Sequence, residues 1–185
     1  AAEYQAFLAR NSYWLDSYAA FRAIKDLLGA EVWQEWPKQY RSWSQELLER
    51  SELAQAIELH RKQQFAFEVV WSQTLAEARA EGIQIIGDMP MFVSEDSADV
   101  WAHPELFALD DTGHTELQAG APADAFSQDG QLWGNPTYTW QAHKDEGYRW
   151  WIERFRRSFY LYDYTRLDHF IGFTSYYAIE QGKTA

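Results

Sequence analysis

Apolar residues recur at helical spacing in three parts of the chain. Between residues 12 and 28 they fall three or four positions apart, and Gly29 stands where the C-terminal cap of a helix is expected. A similar pattern covers residues 44–82 or 51–82, as one long helix or as two shorter ones. A third covers residues 146–159, with its aromatic side chains on one stripe. The pattern therefore predicts helices on both sides of a middle region that is not helical.

Two short apolar runs have the composition of strands. GIQIIGDMP, at residues 82–90, is rich in isoleucine and bounded by glycine and proline, and YLYDYTRLDHF, at residues 160–170, follows the last predicted helix. Residues 89–146 lie between these runs and are punctuated by Gly, Pro, Asp and Ser. Their segments LDDTGHTEL and FSQDGQLW are typical of hairpin turns. An aromatic insertion of this length is more often functional than disordered.

The order helix, strand, insertion, helix, strand is typical of α/β folds with a parallel sheet. A complete (β/α)8 barrel needs eight strands and about 250 residues. The 185 residues therefore predict a partial (β/α)8 barrel of the TIM type, with about two strands, flanking helices and a long irregular insertion between the strands. We expect the helical part and the first barrel strand at residues 1–88, the insertion at 89–146, and a barrel helix with the second strand at 147–185.

Composition and charge argue against several classes of protein. The formal net charge of -12 would repel nucleic acid and anionic membranes, because both are recognised through clustered Lys and Arg. No apolar run approaches the roughly 20 residues that span a bilayer, and the first residues lack the pattern of a signal peptide, so we expect a cytoplasmic protein. With Cys 0, the sequence offers no disulfide and no thiolate nucleophile. The 10 Trp would suit stacking on sugar rings, although core packing is their commoner use.

The strand predicted at residues 160–170 carries three polar side chains close together. Because side chains alternate along a strand, Arg166 and Asp168 project to the same face and can meet. A guanidinium near a carboxyl lowers its pKa and keeps it ionised, and His169 follows directly. From spacing alone, a buried structural ion pair and a reactive carboxylate are equally favoured. The position of Asp168 favours the reactive carboxylate, since the C-terminal ends of parallel strands carry the catalytic groups in α/β folds.

Other carboxylates are weaker candidates. Asp88 occupies the matching position on the strand predicted at residues 82–90, although taken alone it would more simply cap the turn that follows. Asp110 and Asp111 stand together in a predicted turn, but their spacing matches no calcium loop. We expect them to be solvated turn carboxylates.

Three segments of the chain together resemble one enzyme family. They are GDMPMFVSEDSADVWAHPELF at residues 87–107, GAPADAFSQDGQLWGNPTYTW at 120–140 and RLDHFIGF at 166–173. In order and spacing they are similar to the amylomaltases or disproportionating enzymes, the 4-alpha-glucanotransferases of glycoside hydrolase family 77. Three long matches in the right order are more specific than any short motif. The resemblance implies a barrel enzyme that cuts an alpha-1,4-glucan and passes the glucosyl segment to another sugar.

The resemblance implies a role for each polar residue of the RLDHF segment. Asp168 corresponds to the family's nucleophile, Arg166 to the arginine that supports this carboxylate, and His169 to a histidine that contacts the bound sugar. The family's general acid/base, a glutamate, is expected beyond Ala185, because Glu180 is too close to the strand to replace it. We therefore expect one fragment of a larger catalytic domain, inactive on its own.

The resemblance also gives the insertion at residues 89–146 a role, because the family's loop in this region arches over the cleavage site. Many members have proline where this chain has Ala123, a mild change that leaves the role of the loop standing. With Asp88, the residues expected to bind substrate are Arg166, His169, Asp124, Gln131, Trp133 and Asn135.

The implied reaction is a retaining double displacement, which uses two carboxyl groups about 5 to 5.5 Å apart and needs no metal or organic cofactor. The expected partners are malto-oligosaccharides and alpha-glucans derived from starch or glycogen, with neither nucleic acid nor membrane involved. Two alternatives stay open. One is a plain alpha-glucan hydrolase, and the other is a carbohydrate-binding fragment without catalysis, in which Trp133 stacks on sugar and Asp168 is structural.

Overall fold

The computed structural model describes residues 2–29, 31–123, 125 and 128–183. The chain forms two compact units, each assembled from two stretches of sequence. The first consists of Ala1–Thr74 and Asp96–Ala102, and the second of Leu75–Glu95 and His103–Ala185.

The first unit is helical. Helix α1 covers Ala2–Leu28, α2 covers Ser51–Ala80 and continues into the second unit, and α3 covers Ala98–Ala102. Between α1 and α2, short 3₁₀ turns form at Trp33–Glu35, Lys38–Tyr40 and Gln45–Glu49. Of the two predicted forms of the second helix, a single one that begins at Ser51 is confirmed. None of the helices in the described part of the chain combines the length and the hydropathy needed to cross a membrane.

Helix α1 extends further toward the N-terminus than its apolar pattern predicts. The first turns were missed because their buried positions include Asn11, a polar residue that is 4% exposed and donates from Nδ2 to the Phe7 carbonyl at 2.9 Å. The predicted C-terminal cap is confirmed. Gly29 adopts φ +78°, and its N–H donates to the Lys25 carbonyl at 3.0 Å.

Aromatic rings form the core of the first unit. The ring centroid of Trp101 in α3 lies 5.7 Å from that of Phe21 in α1 and 5.8 Å from that of Trp36. Both tryptophans are fully buried. The indole Nε1 of Trp101 also donates to the Tyr40 carbonyl at 2.9 Å, so its polar atom is satisfied inside the core. Core packing is therefore the role of these two tryptophans.

A pair of parallel strands lies in the second unit, as the order of elements predicts. Strand β1 covers Ile86–Met89 and β4 covers Tyr164–Leu167, with Asp88 opposite Arg166 and Met89 opposite Leu167. Both strands are shorter than the apolar runs that contain them. The pairing sets the C-terminal ends of the two strands side by side.

A second sheet, which the sequence did not predict, is antiparallel. Its strands are β2 at Leu117–Ala121, β3 at Gln131–Pro136 and β5 at Tyr177–Glu180, in the order β3-β2-β5. The prediction of an irregular insertion was incomplete, because β2 and β3 are short and β2 finds its other partner only after β4. The FSQDGQLW hairpin is confirmed by the pairing of Ala121 with Gln131.

The helix expected at residues 146–159 is present but begins at Arg149, after a break that separates it from a short helix that the sequence did not predict. Helix α4 covers Trp140–Asp145 and α5 covers Arg149–Leu161. The break occurs because Gly147 and Tyr148 both adopt positive φ, +70° and +56°. Trp150 and Trp151 of α5 are buried, whereas Phe159, expected on the same stripe, is 63% exposed.

The LDDTGHTEL turn is confirmed. Leu109 and Thr115 form an isolated antiparallel bridge. Between them, Asp110 Oδ1 accepts hydrogen bonds from the backbone N–H of Thr112 at 2.8 Å and of His114 at 3.0 Å. Asp110 therefore caps its own turn.

Candidate active site

The C-terminal ends of β1 and β4 bring Asp88, Arg166 and Asp168 together. Arg166 Nε donates to Asp88 Oδ1 at 3.1 Å, and its Nη2 donates to Asp88 Oδ2. The same Nη2 lies 3.6 Å from Asp168 Oδ1. The backbone N–H of Asp168 donates to the Met89 carbonyl at 3.0 Å, so Asp168 is fixed at the point where the parallel pairing ends. These distances confirm that Arg166 and Asp168 meet.

The main partner of Arg166 is Asp88, a pairing that the sequence did not predict. The guanidinium fork matches both oxygens of Asp88, a bidentate geometry that Lys could not reproduce. These hydrogen bonds hold the pKa of Asp88 below its usual value and raise the pKa of Arg166. Asp88 is therefore not a turn cap but a counterion for the arginine.

Within the described residues the three charges are exposed, which favours a reactive carboxylate over a buried ion pair. Side-chain exposure is 63% for Arg166, 54% for Asp88 and 57% for Asp168. An exposed carboxylate keeps its solvation and can be approached by a polar ligand. Ion pairs at such exposure add little to folding stability.

His169, directly after Asp168, is held in an unusual backbone conformation. Its φ is +49°, in the left-handed region that only a few per cent of non-glycine residues adopt. The imidazole contacts Trp133 edge to face, with centroids 5.2 Å apart, and Phe92 at 6.1 Å. Its Nε2 is buried, and no hydrogen-bond partner for it occurs among the described residues. Gly172 packs so closely that a Cβ there would lie 3.1 Å from His169 Cδ2.

Three of the residues predicted to bind substrate, Gln131, Trp133 and Asn135, lie on β3. Trp133 Nε1 donates to Gln131 Oε1 at 3.0 Å, which fixes the indole relative to its own strand. Asn135 Nδ2 donates to the Val93 carbonyl at 2.8 Å, so Asn135 supports the segment after β1. Asp124, also predicted to bind substrate, lies outside the described residues.

Phe92 is the residue of the site that reasoning from the sequence missed. It is 8% exposed and contacts Trp133, Tyr138, Tyr176 and His169. Its ring therefore joins the segment after β1 to β3 and to the segment that contains His169. Phe92 could have been identified as a site residue from its position in GDMPMFV, within the first segment that carries the family resemblance.

The site therefore combines an exposed carboxylate, an adjacent guanidinium and a packed aromatic group made of Phe92, Trp133 and His169. We call these three residues the aromatic cluster. Carboxylates in such surroundings can attack an electrophilic carbon, and aromatic faces can support the apolar faces of a sugar ring while reducing access of water.

Comparison with known proteins agrees with the resemblance read from the sequence. The model of the 4-alpha-glucanotransferase family matches residues 1–185. The chain is 44% identical over 183 residues to a 4-alpha-glucanotransferase of Streptococcus pneumoniae, a match that covers 97% of this chain and 36% of that relative. It is 44% identical over 178 residues to a 4-alpha-glucanotransferase of Thermus thermophilus, covering 95% of this chain and 36% of the relative.

A solved structure shows the same similarity in three dimensions. The chain matches an amylomaltase from Streptococcus agalactiae in complex with acarbose with a TM-score of 0.90 and 42% identity, covering 99% of this chain and 38% of that one. The chain therefore has a mixed α/β fold similar to that of an amylomaltase. It spans about a third of the length of the curated relatives that it matches, 36% in both cases above.

Proposed function

This chain belongs to the 4-alpha-glucanotransferase family, and on that premise we propose that it is the nucleophile-bearing part of an enzyme that transfers a segment of an alpha-1,4-glucan to an acceptor sugar. The observation that carries the proposal is the position of Asp168. Its carboxylate is exposed at the C-terminal end of β4, 3.6 Å from a guanidinium nitrogen of Arg166 and next in sequence to the aromatic cluster.

The wider architecture in this proposal is a (β/α)8 barrel. Strands β1 and β4 would be neighbours in it, since they pair in parallel and are joined through α5. Barrel enzymes place their reactive groups at the C-terminal ends of the strands. Asp88 and Asp168 both lie at such ends, which supports the proposal.

In the first step, an oxygen of Asp168 attacks the anomeric carbon of the donor glucan. The bond from that carbon to the glycosidic oxygen breaks, and a second carboxyl group delivers a proton to the leaving oxygen. The product is a glycosyl ester on Asp168 and a shortened glucan. Arg166 Nη2 lies 3.6 Å from Asp168 Oδ1, and the guanidinium stays oriented because its Nε and Nη2 both donate to Asp88.

In the second step, a hydroxyl of the acceptor sugar attacks the anomeric carbon of the ester. The second carboxylate takes the proton of that hydroxyl, and Asp168 is released as a carboxylate. Transfer exceeds hydrolysis only if water reaches the ester less effectively than sugar does. The aromatic cluster beside the nucleophile is suited to this task, because it replaces ordered water with apolar surface.

The second carboxyl group is proposed to lie outside these 185 residues. The chain spans 36% of the length of the relatives above, so most of their sequence has no counterpart here. No residue between His169 and Ala185 matches the family's glutamate, which agrees with this proposal.

Product analysis with maltotriose tests the proposal. The gene product that contains this chain should release glucose and form oligomers longer than maltotriose. A hydrolase would give only shorter sugars, and a carbohydrate-binding protein would give no products at all. The matched control is Asp168→Asn, which keeps the size and much of the hydrogen bonding of the side chain but cannot form the glycosyl ester.

A further inference from the structure

We propose that Arg154, on the helix between the two parallel strands, is a positioning residue that fixes the segment Pro90–Val93 and through it the aromatic cluster. This inference rests on the proposed transferase function. Arg154 is not part of any motif that carries the family resemblance, and it touches neither Asp168 nor Arg166 in the contacts described above.

The segment after β1 has no strand partner for its carbonyl groups. Strand β1 ends at Met89, and residues 90–93 are irregular although Met91 and Phe92 are buried. Buried backbone carbonyls need hydrogen-bond donors. The donors that reach the carbonyls of Pro90, which is exposed, and of Met91 and Val93 are side chains from other elements.

Arg154 supplies two of these hydrogen bonds. Its Nη2 donates to the Pro90 carbonyl at 2.7 Å, and its Nη1 donates to the Met91 carbonyl at 3.3 Å. The Met91 carbonyl also accepts from the Tyr138 hydroxyl at 2.5 Å. A planar guanidinium can serve two adjacent carbonyls at once, whereas an ammonium group has no such fork.

Two tryptophans hold the guanidinium in place. Arg154 Cζ lies 5.0 Å from the ring centroid of Trp150 and 5.2 Å from that of Trp151, and both rings are buried. Contacts of this kind attract a cation and restrict its rotation. The fork is therefore aimed at the two carbonyls before any sugar binds.

One of the two carbonyls that Arg154 binds belongs to Met91, which lies against the turn after His169. The Met91 side chain packs against Gly172, where a Cβ would lie 3.0 Å from Met91 Cγ, so the turn after His169 has no spare room. Phe92 follows Met91 and contacts both Trp133 and His169. Loss of the two hydrogen bonds from Arg154 would loosen the aromatic cluster, while Asp168 and Arg166 would stay chemically intact.

The test uses the gene product that contains this chain and two variants on the same helix. Arg154→Met keeps most of the side-chain stem over the tryptophans but removes every donor. Arg156→Met is the matched control, because Arg156 is 62% exposed and pairs with Glu153 on the surface of α5. Arg154→Lys tests partial rescue, since an ammonium can reach one carbonyl.

The first readout is amide hydrogen exchange of peptides that cover residues 89–95, which needs no activity. Arg154→Met should speed exchange in these peptides, Arg154→Lys should do so less, and Arg156→Met should match the parent. The second readout is kinetics with maltotriose. Arg154→Met should lower kcat for transfer by about tenfold or more and raise the hydrolysed share, with KM changed by less than about threefold.

Exchange in residues 89–95 that stays at the parent rate in Arg154→Met would overturn the proposal. So would equal losses of kcat in Arg154→Met and Arg156→Met. If Arg154→Met does not fold, the same comparison between Arg154→Lys and Arg156→Met decides. A parent protein that makes no transfer products would refute the proposed function instead, and the exchange measurement would still decide whether Arg154 positions the segment.

Discussion

Replacing Gly120 with alanine tests how closely the two strands of the active-site hairpin must approach. Gly120 is buried in β2, the central strand of the antiparallel sheet, opposite Leu132 of β3 and Tyr177 of β5. A Cβ at this position would lie 2.3 Å from the Gln131 carbonyl oxygen and 2.6 Å from Ile179 Cδ1. Only a residue without a side chain fits here.

The size of the effect follows from which atoms can move. Real Cβ atoms keep at least 3.0 Å, so the Gln131 oxygen must shift by roughly 0.7 Å. That oxygen is backbone, and its shift displaces β3 together with Trp133. We expect Gly120→Ala to reduce the free energy of unfolding by about 1–3 kcal/mol. Displacement of Trp133 should lower the rate of transfer by roughly tenfold or more.

A second substitution separates the backbone clash from the side-chain clash. Ile179→Val removes the Cδ1 atom that Gly120→Ala would meet, but it leaves the Gln131 carbonyl in place. Urea unfolding and maltotriose assays on the single and double variants measure both quantities. The double variant should remain destabilised and slow. Full recovery in it, or a Gly120→Ala protein with the stability and transfer rate of the parent, would refute the argument.

Three further outcomes are expected. Trp133→Ala should shift products from transfer toward hydrolysis and weaken use of the acceptor, because the indole packs on His169, next to Asp168. If product analysis shows an unchanged ratio of glucose release to oligomer growth, Trp133 is a packing residue only. His143 is fully buried among aromatic rings, and burial lowers its pKa while the Glu146 carboxylate partly opposes this. The neutral, buried imidazole therefore stabilises the fold above the usual His pKa of about 6.5, and this stabilisation is lost as pH falls below that value. Between about pH 7.5 and about pH 5.5, the Tm of His143→Phe should fall less than the Tm of the parent. An equal fall in Tm would contradict this. The isolated 185-residue chain, given maltotriose, should form no oligomer longer than maltotriose itself. Formation of longer oligomers would place the general acid inside this chain.

The helices could be predicted from the sequence because their signal is local. The apolar stripe of α1 and the glycine at its end are read within a few turns. Where a buried position was polar, as at Asn11, the pattern failed and the helix extended further than expected. The start of α5 was predicted too early because one of the two left-handed residues before it is Tyr148, which carries no turn signal.

The antiparallel sheet could not be predicted for the opposite reason. Each of its strands has at most six residues, and β2 is completed by β5, which comes after β4. Pairing between such distant segments leaves little trace in the hydrophobic pattern. The two glycines that the hairpin requires, Gly120 and Gly134, made the same residues resemble an irregular loop.

Part of the candidate site could be predicted from the sequence. The alternation of side chains along a strand placed Arg166 and Asp168 on one face, and the family resemblance supplied their roles. The bidentate pairing of Arg166 with Asp88 could not be predicted, because Asp88 lies 78 positions earlier in the sequence. The role of Arg154 had no signal either, since it acts on backbone carbonyls, which every residue possesses.

Covalent trapping tests the central claim most directly. The gene product that contains this chain is incubated with a fluorinated glucosyl donor that forms the ester but releases it slowly, and the labelled peptide is sequenced by mass spectrometry. We expect one fluoroglucosyl unit on Asp168 and none in Asp168→Asn, which should also lose nearly all turnover while still binding glucan. A label on another carboxylate, or unlabelled Asp168 in a protein that transfers glucan, would contradict it.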